Sequence, residues 1–467
     1  MREICHDGQV LQITTIRPAA DIYDLPWSTP LEDWPEDLLA VLPRGISRHT
    51  VRFVRTSQGV IAVKEIKDDI AYREYHLLRA LGRLDIPCVQ PFGIVSGRTD
   101  DQGNPLDGAL LTYHLQYSLP FRALFSQALR QDTARRLIDA LAVLLVRLHL
   151  QGFWWGDVSL SNTLFRRDAG EFAAYLVDAE TGELRDQLSD GQREHDLEIA
   201  RINIAGELLD LEAGGLLPPG QDPLEIAVHI MSRYAALWSA LTETETYDTG
   251  ERWRVDERIR RLNDLGFDVG ELSLTTDLDG SRILIQPKVV DAGHHSRRLL
   301  RLTGLDVGEG QARRLLNDLD SFRASINAQG EDEAIVANQW LNQIYLPVTR
   351  TAHPSLIRKL EPAELFHEVL EHRWYLSERL GHDIPIEDAV RDYTQTILPS
   401  RADEQTVVDA DTQELDLTEM FSDDDFDEVE LDQDGNPVEA TGEEWTADDD
   451  DSAWVLNDWN PDWRTRD

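Results

Sequence analysis

The chain has 467 residues, a hydrophobic fraction of 41% and a formal net charge of −42. That length suits about three domains. No run of about 18 apolar residues marks a membrane-spanning helix, and so acidic a surface argues against general nucleic-acid binding. Cys5 and Cys88 are too few for a disulfide framework, and Met1–Asp7 lacks an apolar signal core, so a reduced cytoplasm is the expected home.

Residues 1–37 are mixed in character, with four prolines, and read as a lead-in that drapes over the first domain. Three strand-like runs follow: Leu38–Leu42, Thr50–Val54 and Val60–Ile66, the last after a Ser57-Gln58-Gly59 turn. Ile70, Tyr75, Leu78 and Leu81 predict a helix over 69–83, with Asp68 and Asp69 at its positive end. Strands are expected at Val89–Val95 and Ala109–His114, and an apolar stripe through Leu137, Leu141, Leu144, Leu145 and Leu148 predicts a helix over 133–150. A further strand is expected at Phe172–Val177 and a helix at Arg193–Leu211. Residues 223–398 read as mainly helical around a hairpin at 271–290 with an Asp279-Gly280 turn. From 401 onward 25 acidic residues stand against three arginines, too little apolar surface to offset ordering entropy, so this tail is expected to be disordered and to offer its charge to a protein partner.

Four lysines stand against 41 arginines, a bias that suggests a GC-rich bacterial genome. One lysine, Lys64, ends the apolar strand Ile61-Ala62-Val63-Lys64. A compact ammonium can touch two phosphate oxygens and a carboxylate together, a corner that a planar guanidinium fills badly. Asp157 opens the loop Asp157-Val158-Ser159-Leu160-Ser161-Asn162, and Asp178 ends the strand Ala173–Val177. Lys64, Asp157, Asn162 and Asp178 stand in the order and spacing that phosphoryl transfer from a magnesium nucleotide requires.

On these motifs residues 38–210 resemble the protein-kinase-like superfamily and, within it, the bacterial lipopolysaccharide-core (Kdo) kinases. The C-terminal half resembles a helical domain of unknown function that follows such kinase-like domains in actinobacteria, which implies no chemistry. The fold implied is α+β: a two-lobed protein-kinase-like domain over 38–215, a mainly helical domain over 223–398 and the acidic tail over 401–467. The resemblance implies ATP and Mg²⁺. Lys64 would bind the α- and β-phosphates in partnership with Glu74, Asn162 and Asp178 would hold the metal, and Asp157 would orient or deprotonate an acceptor hydroxyl. Glu65, next to Lys64, is expected on the opposite face of the sheet. Gly45 and Ser47 fall where the phosphate loop belongs, though a plain hairpin turn explains them equally well. Thr112, Tyr113 and His114 fall at the hinge whose backbone would meet an adenine edge. Asp196 either pins the catalytic loop or caps a helix.

Three departures matter. Trp155-Gly156 replaces the usual His-Arg, Asp178-Ala179-Glu180 replaces Asp-Phe-Gly, and only 17 residues separate Asp178 from Asp196. They favour a constitutively arranged, ATP- and Mg²⁺-dependent phosphotransferase acting on a small molecule, a sugar or an unusual acceptor. A pseudokinase or nucleotide-binding scaffold is the alternative. Two further signals are set aside: Gly293-His294-His295 as a metal motif, since adjacent histidines diverge, and 297–322 as a helix-turn-helix, since its five arginines are offset by acids.

Overall fold

The computed structural model describes residues 2–6, 9–40, 42, 49–125, 133–242, 245–248, 267–268, 271–276, 282–288, 291–292, 294–328, 330–350, 359–382 and 384–400. The chain divides into two units, Met1–Thr412 and Gln413–Asp467, and every described residue lies in the first. The acidic tail and the phosphate-loop candidates Gly45 and Ser47 lie outside the described residues.

The first lobe is a six-stranded antiparallel sheet of β1 (Arg2–His6), β2 (Gln9–Thr15), β3 (Val51–Thr56), β4 (Gly59–Ile66), β5 (Pro91–Ser96) and β6 (Gly108–Tyr113), in the order β1-β2-β5-β6-β4-β3. The N-terminal segment is therefore more than a lead-in, because β2 pairs with β5 and extends the sheet. Downstream of it, α1 (Ala20–Tyr23) leads to Trp27 and Trp34, which pack edge to face and, with Ile22 and Leu31, close one side of the sheet against Val54, Ile61, Val63 and Leu111. The expected strand at Leu38–Leu42 is instead a 3₁₀ turn over Glu36–Leu38 and a single bridge between Leu39 and Val54. The other side of the sheet presents Ile66, Ile94 and Leu110 to α2 (Asp68–Arg83). Alternate residues of β4 thus face two different cores, as the period of a strand demands.

The second lobe holds β7 (Ser118–Pro120), α3 (Phe121–Phe125), α4 (Thr133–Leu150), β8 (Phe153–Trp154), β9 (Thr163–Asp168), β10 (Glu171–Leu176), β11 (Glu183–Leu184), α5 (Asp190–Ala213) and α6 (Pro223–Thr242). β9 and β10 form an antiparallel hairpin flanked by β7, and β8 pairs with β11. The leucine stripe of α4 is buried along its length. Helix α6 packs through Ile226, Ile230, Tyr234 and Leu237 into this same core, so the first core reaches past residue 215, to residue 241.

The rest is mainly helical. The expected hairpin is present as antiparallel strands Glu271–Thr276 and Arg282–Lys288. Helices His294–Thr303, Glu309–Ser325, Glu333–Trp340, Pro362–Leu380 and Ile386–Thr396 close on a separate core around Trp340, Phe366 and Tyr393. The helix-turn-helix candidate is a packed corner. Glu309 opens one helix and accepts hydrogen bonds from the backbone N–H of His295 and Ser296 in the previous one, with His295 Nδ1 at 2.6 Å. Arg298 pairs with Glu333 and Arg297 with Asp85, so two of the five arginines are spent on packing.

Burial works against ionisation of Glu309, but the His295 side chain and the two N–H donors outweigh it and hold the carboxyl down at about 2. A carboxyl depressed below its unfolded value contributes stability above about pH 4.5 and loses it as pH falls toward 2. Glu309→Gln is therefore expected to cost about 1–3 kcal/mol at pH 7 and less at pH 3, as measured by urea unfolding at the two pH values.

Candidate active site

Lys64 sits near the end of β4, on the face turned toward α2. Its Nζ lies 3.1 Å from Glu74 Oε2, 2.8 Å from Asp178 Oδ2 and 3.3 Å from Glu180 Oε2. Burial acts to lower the lysine pKa, but Glu74, Asp178 and Glu180 together raise it above its ordinary value, so the ammonium stays charged. Glu65, its neighbour, turns to the opposite face, where it meets the fully buried Arg98 at 2.7 Å. Glu74 comes from the second turn of α2, and its side chain is 1% exposed. One of its oxygens meets Lys64 and the other accepts the N–H of Ala179, so a single carboxylate ties strand, helix and the 178–180 triplet together.

Asp157 and Asn162 lie on the loop between β8 and β9. Asn162 Nδ2 donates to the backbone carbonyl of Asp157 at 3.0 Å and to its carboxylate at 3.1 Å, which leaves the amide oxygen of Asn162 as the outward acceptor. The second oxygen of Asp157 accepts from Asn203 of α5 at 3.3 Å. Val158 and Leu160 are buried as anchors, and Glu207 accepts the N–H groups of Leu160 and Ser161, both at 2.8 Å. The Val177 N–H donates to the Asn162 carbonyl, so Asn162 and Asp178 bracket the base of the β9–β10 hairpin.

The departures from the kinase pattern have a structural account. Gly156 adopts φ +77°, which favours glycine, and a Cβ there would lie 2.9 Å from the Trp154 ring. Trp155 is fully buried and donates from its indole to the Asp178 carbonyl at 2.9 Å, while its own carbonyl accepts from Thr181. Asp196, 0% exposed, accepts the N–H groups of Trp155 and Gly156, both at 2.8 Å, and meets His149, which bonds Tyr234 of α6. Between the two readings of Asp196, the loop contact is the one its side chain makes.

The hinge candidates lie at the end of β6. Tyr113 N–H donates to Gln90 and His114 N–H to Val60, so both donors are spent within the sheet. His114 stands edge-on to Phe53, and burial brings its pKa down to about 4. Thr112 lies within β6, opposite Ala62.

Sequence reasoning singled out neither Glu180, Asn203, Glu207 nor His49, whose Nε2 is 2.9 Å from Glu180. Glu180 carried a readable signal, its place two residues after Asp178. Asn203 and Glu207 reach the loop from 40 or more residues away, with no local spacing to betray them.

Oxygens of Glu74, Asp178 and Glu180 lie within 4.8 Å of one another. Three carboxylates around one ammonium leave surplus negative charge in a little-hydrated site, and an all-oxygen donor set suits a hard divalent cation. The residues therefore fit Mg²⁺.

Residues 61–204 match the lipopolysaccharide kinase (Kdo/WaaP) family, and residues 236–398 match DUF4032, a domain of unknown function. A kinase-like segment is thus followed, along the chain, by one that matches a domain of unknown function. The kinase-like match takes in Lys64, Glu74, Asp157, Asn162, Asp178 and Asn203, and the DUF4032 match begins within α6. A solved structure described as WaaP in complex with acyl carrier protein overlays 54% of this chain and 99% of its own, at 15% identity and a TM-score of 0.32, too loose a likeness to bear on the chemistry. No curated protein matches the chain. Among the described residues of the kinase-like and DUF4032 domains, no helix is long and apolar enough to cross a membrane.

Burial pushes Glu74 up to about 7, against the opposing pull of Lys64. A carboxyl raised above its unfolded value favours the fold most below about pH 4.5, and that contribution fades as pH rises through 7. In protein stripped of divalent cations, Glu74→Gln is expected to flatten the loss of stability between pH 5 and 7.5, as followed by urea melts in chelator. An unchanged pH slope would contradict the burial argument.

Proposed function

We propose that the kinase-like domain transfers the γ-phosphate of ATP, with Mg²⁺, to a hydroxyl of a small molecule or sugar. The observation that carries this reading is the meeting of Lys64 with Glu74 and Asp178 at 3.1 and 2.8 Å. It joins the two halves of a nucleotide site from residues 114 positions apart in sequence. Lys64 would exchange part of its carboxylate contact for oxygens of the α- and β-phosphates, with Glu74 holding the ammonium in place. Asn162, Asp178 and Glu180 are the residues that would hold the metal. The ion, when bound, supplies neutralisation of phosphate charge during transfer.

Asp157 would receive the acceptor hydroxyl. Two amide groups, from Asn162 and Asn203, fix the direction of its carboxylate, so its main contribution is orientation. The hydroxyl oxygen bonds to the γ-phosphorus as the bond to the bridging oxygen of ADP breaks, and the hydroxyl proton leaves to the Asp157 carboxylate or to the transferred phosphate. An adenine contact falls to the residues after His114, because the two donors at the expected hinge are engaged. The short path from Asp178 to Asp196, occupied by β11 and the start of α5, leaves little room for a peptide-docking segment, which supports a small acceptor.

Incubating the full chain with γ-labelled ATP, Mg²⁺ and a cell extract tests this. Label is expected to move to a small hydroxyl compound, with Asp157→Ala slowing transfer by about 10²–10⁴-fold and Asp178→Ala abolishing the magnesium-dependent rate. Wild-type transfer by Asp178→Ala would overturn the assignment, and retained ATP binding with no transfer at all would turn the reading to a nucleotide-binding scaffold.

A further inference from the structure

The tip of the β9–β10 hairpin is gripped by the helical domain. Asp168 accepts the N–H groups of Gly310 and Gln311, at 2.9 and 2.6 Å, at the start of helix Glu309–Ser325. The Gln311 side chain, 1% exposed, donates to the carbonyl of Arg167 and reaches both Glu361 and Glu364. Glu364, 2% exposed, accepts the N–H of Ala169 at 2.9 Å and of Gly170 at 3.4 Å, and Arg166 pairs with Glu361. The approach is close enough to need glycine: a Cβ at Gly308 would lie 2.6 Å from an Asp168 oxygen, and one at Gly310 3.0 Å from its carboxyl carbon. Ala169 is held at φ +55°, a conformation that costs an L-residue energy and persists where its surroundings over-determine it.

This hairpin is the element that carries the site. Asn162 precedes β9 and Asp178 follows the end of β10 by two residues. Each strand has six residues, so the gripped tip lies about 17 Å from the base. A paired antiparallel ladder over that distance transmits a displacement of its tip as a shift or tilt of its base. We propose that the domain of unknown function is a positioning element of the phosphotransfer site, setting the separation of Asn162 and Asp178 through its hold on Asp168, Ala169 and Gly170. Asp168, Gln311 and Glu364 are then positioning residues, remote from the substrate. This assignment of roles rests on the phosphotransferase reading, whereas the mechanical coupling does not.

The full chain with Asp168→Ala, and with Asp168→Asn keeping one acceptor oxygen, tests it by two readouts. Amide hydrogen exchange over 162–164 and 176–180, at the base of the hairpin, is expected to speed by about tenfold in Asp168→Ala, with Asp168→Asn between it and the wild type. The Mg²⁺ concentration for half-maximal ADP binding is expected to rise by a similar factor, while ADP affinity in chelator stays the same. If Asp168→Ala fails to fold, Gly308→Ala loosens the same grip by forcing Asp168 away. Faster exchange confined to 165–172, with the base unchanged, would overturn the proposal. Wild-type protein that binds no ADP with Mg²⁺ would defeat the phosphotransferase reading and leave the exchange result to decide the coupling alone.

Discussion

A single part-buried ammonium meeting three carboxylates is the constraint around which this molecule is arranged. Lys64 on β4 touches Glu74 on α2 and Asp178 and Glu180 beyond β10, so one charge holds strand, helix and second lobe in register. Ions taken out of water need partners, and four groups from three places must arrive together for the site to form. The same arrangement is left with more negative than positive charge. A cation entering it would relieve that excess, in keeping with the proposed metal–phosphate clamp.

The 155–162 loop is held by a different device. Helix α5 extends two acidic side chains, Asp196 and Glu207, and one amide, Asn203, to the backbone and side chain of residues 155–161. Each carboxylate takes two backbone N–H groups, so the helix adds to the hold that the loop's own Asn162 and Ser159 provide. Trp155 occupies the place of the usual histidine and bonds the carbonyl of Asp178, tying the 155–162 loop to the 178–180 triplet. The triplet holds alanine where the kinase pattern has phenylalanine, and the path from it to α5 is short.

Much of this was legible in the sequence because it is local. The strand ending at Lys64, the stripe of α4 and the Asp157–Asn162 spacing depend on neighbours a few residues apart, and β3, β4, α2, β5, β6, α4, β10 and α5 fall within a few residues of their expected bounds, whereas β7, α3, β8, β9 and β11 were not foreseen. What was hidden depends on long-range partners. Nothing in Gln9–Thr15 says that it will pair with β5, and Leu38, which opens an apolar run suited to a strand, is taken up by the turn over Glu36–Leu38. The apolar face of α6 is as suitable for one core as for the other, and only the packing of α4 and α5 beside it decides. The engagement of the Tyr113 and His114 N–H groups was hidden for the same reason, since sheet registry and not order along the chain commits them. The grip on Asp168 is the extreme case, with partners more than 140 residues away.

The central claim is that Lys64, Asn162 and Asp178 form one nucleotide–metal site. Calorimetric titration of the full chain with ADP, in Mg²⁺ and in chelator, tests it most directly. The expected result is binding that tightens by about tenfold or more with Mg²⁺ and loses that gain in Asp178→Ala. ADP affinity indifferent to Mg²⁺, or equally dependent on it in Asp178→Ala, would contradict the claim.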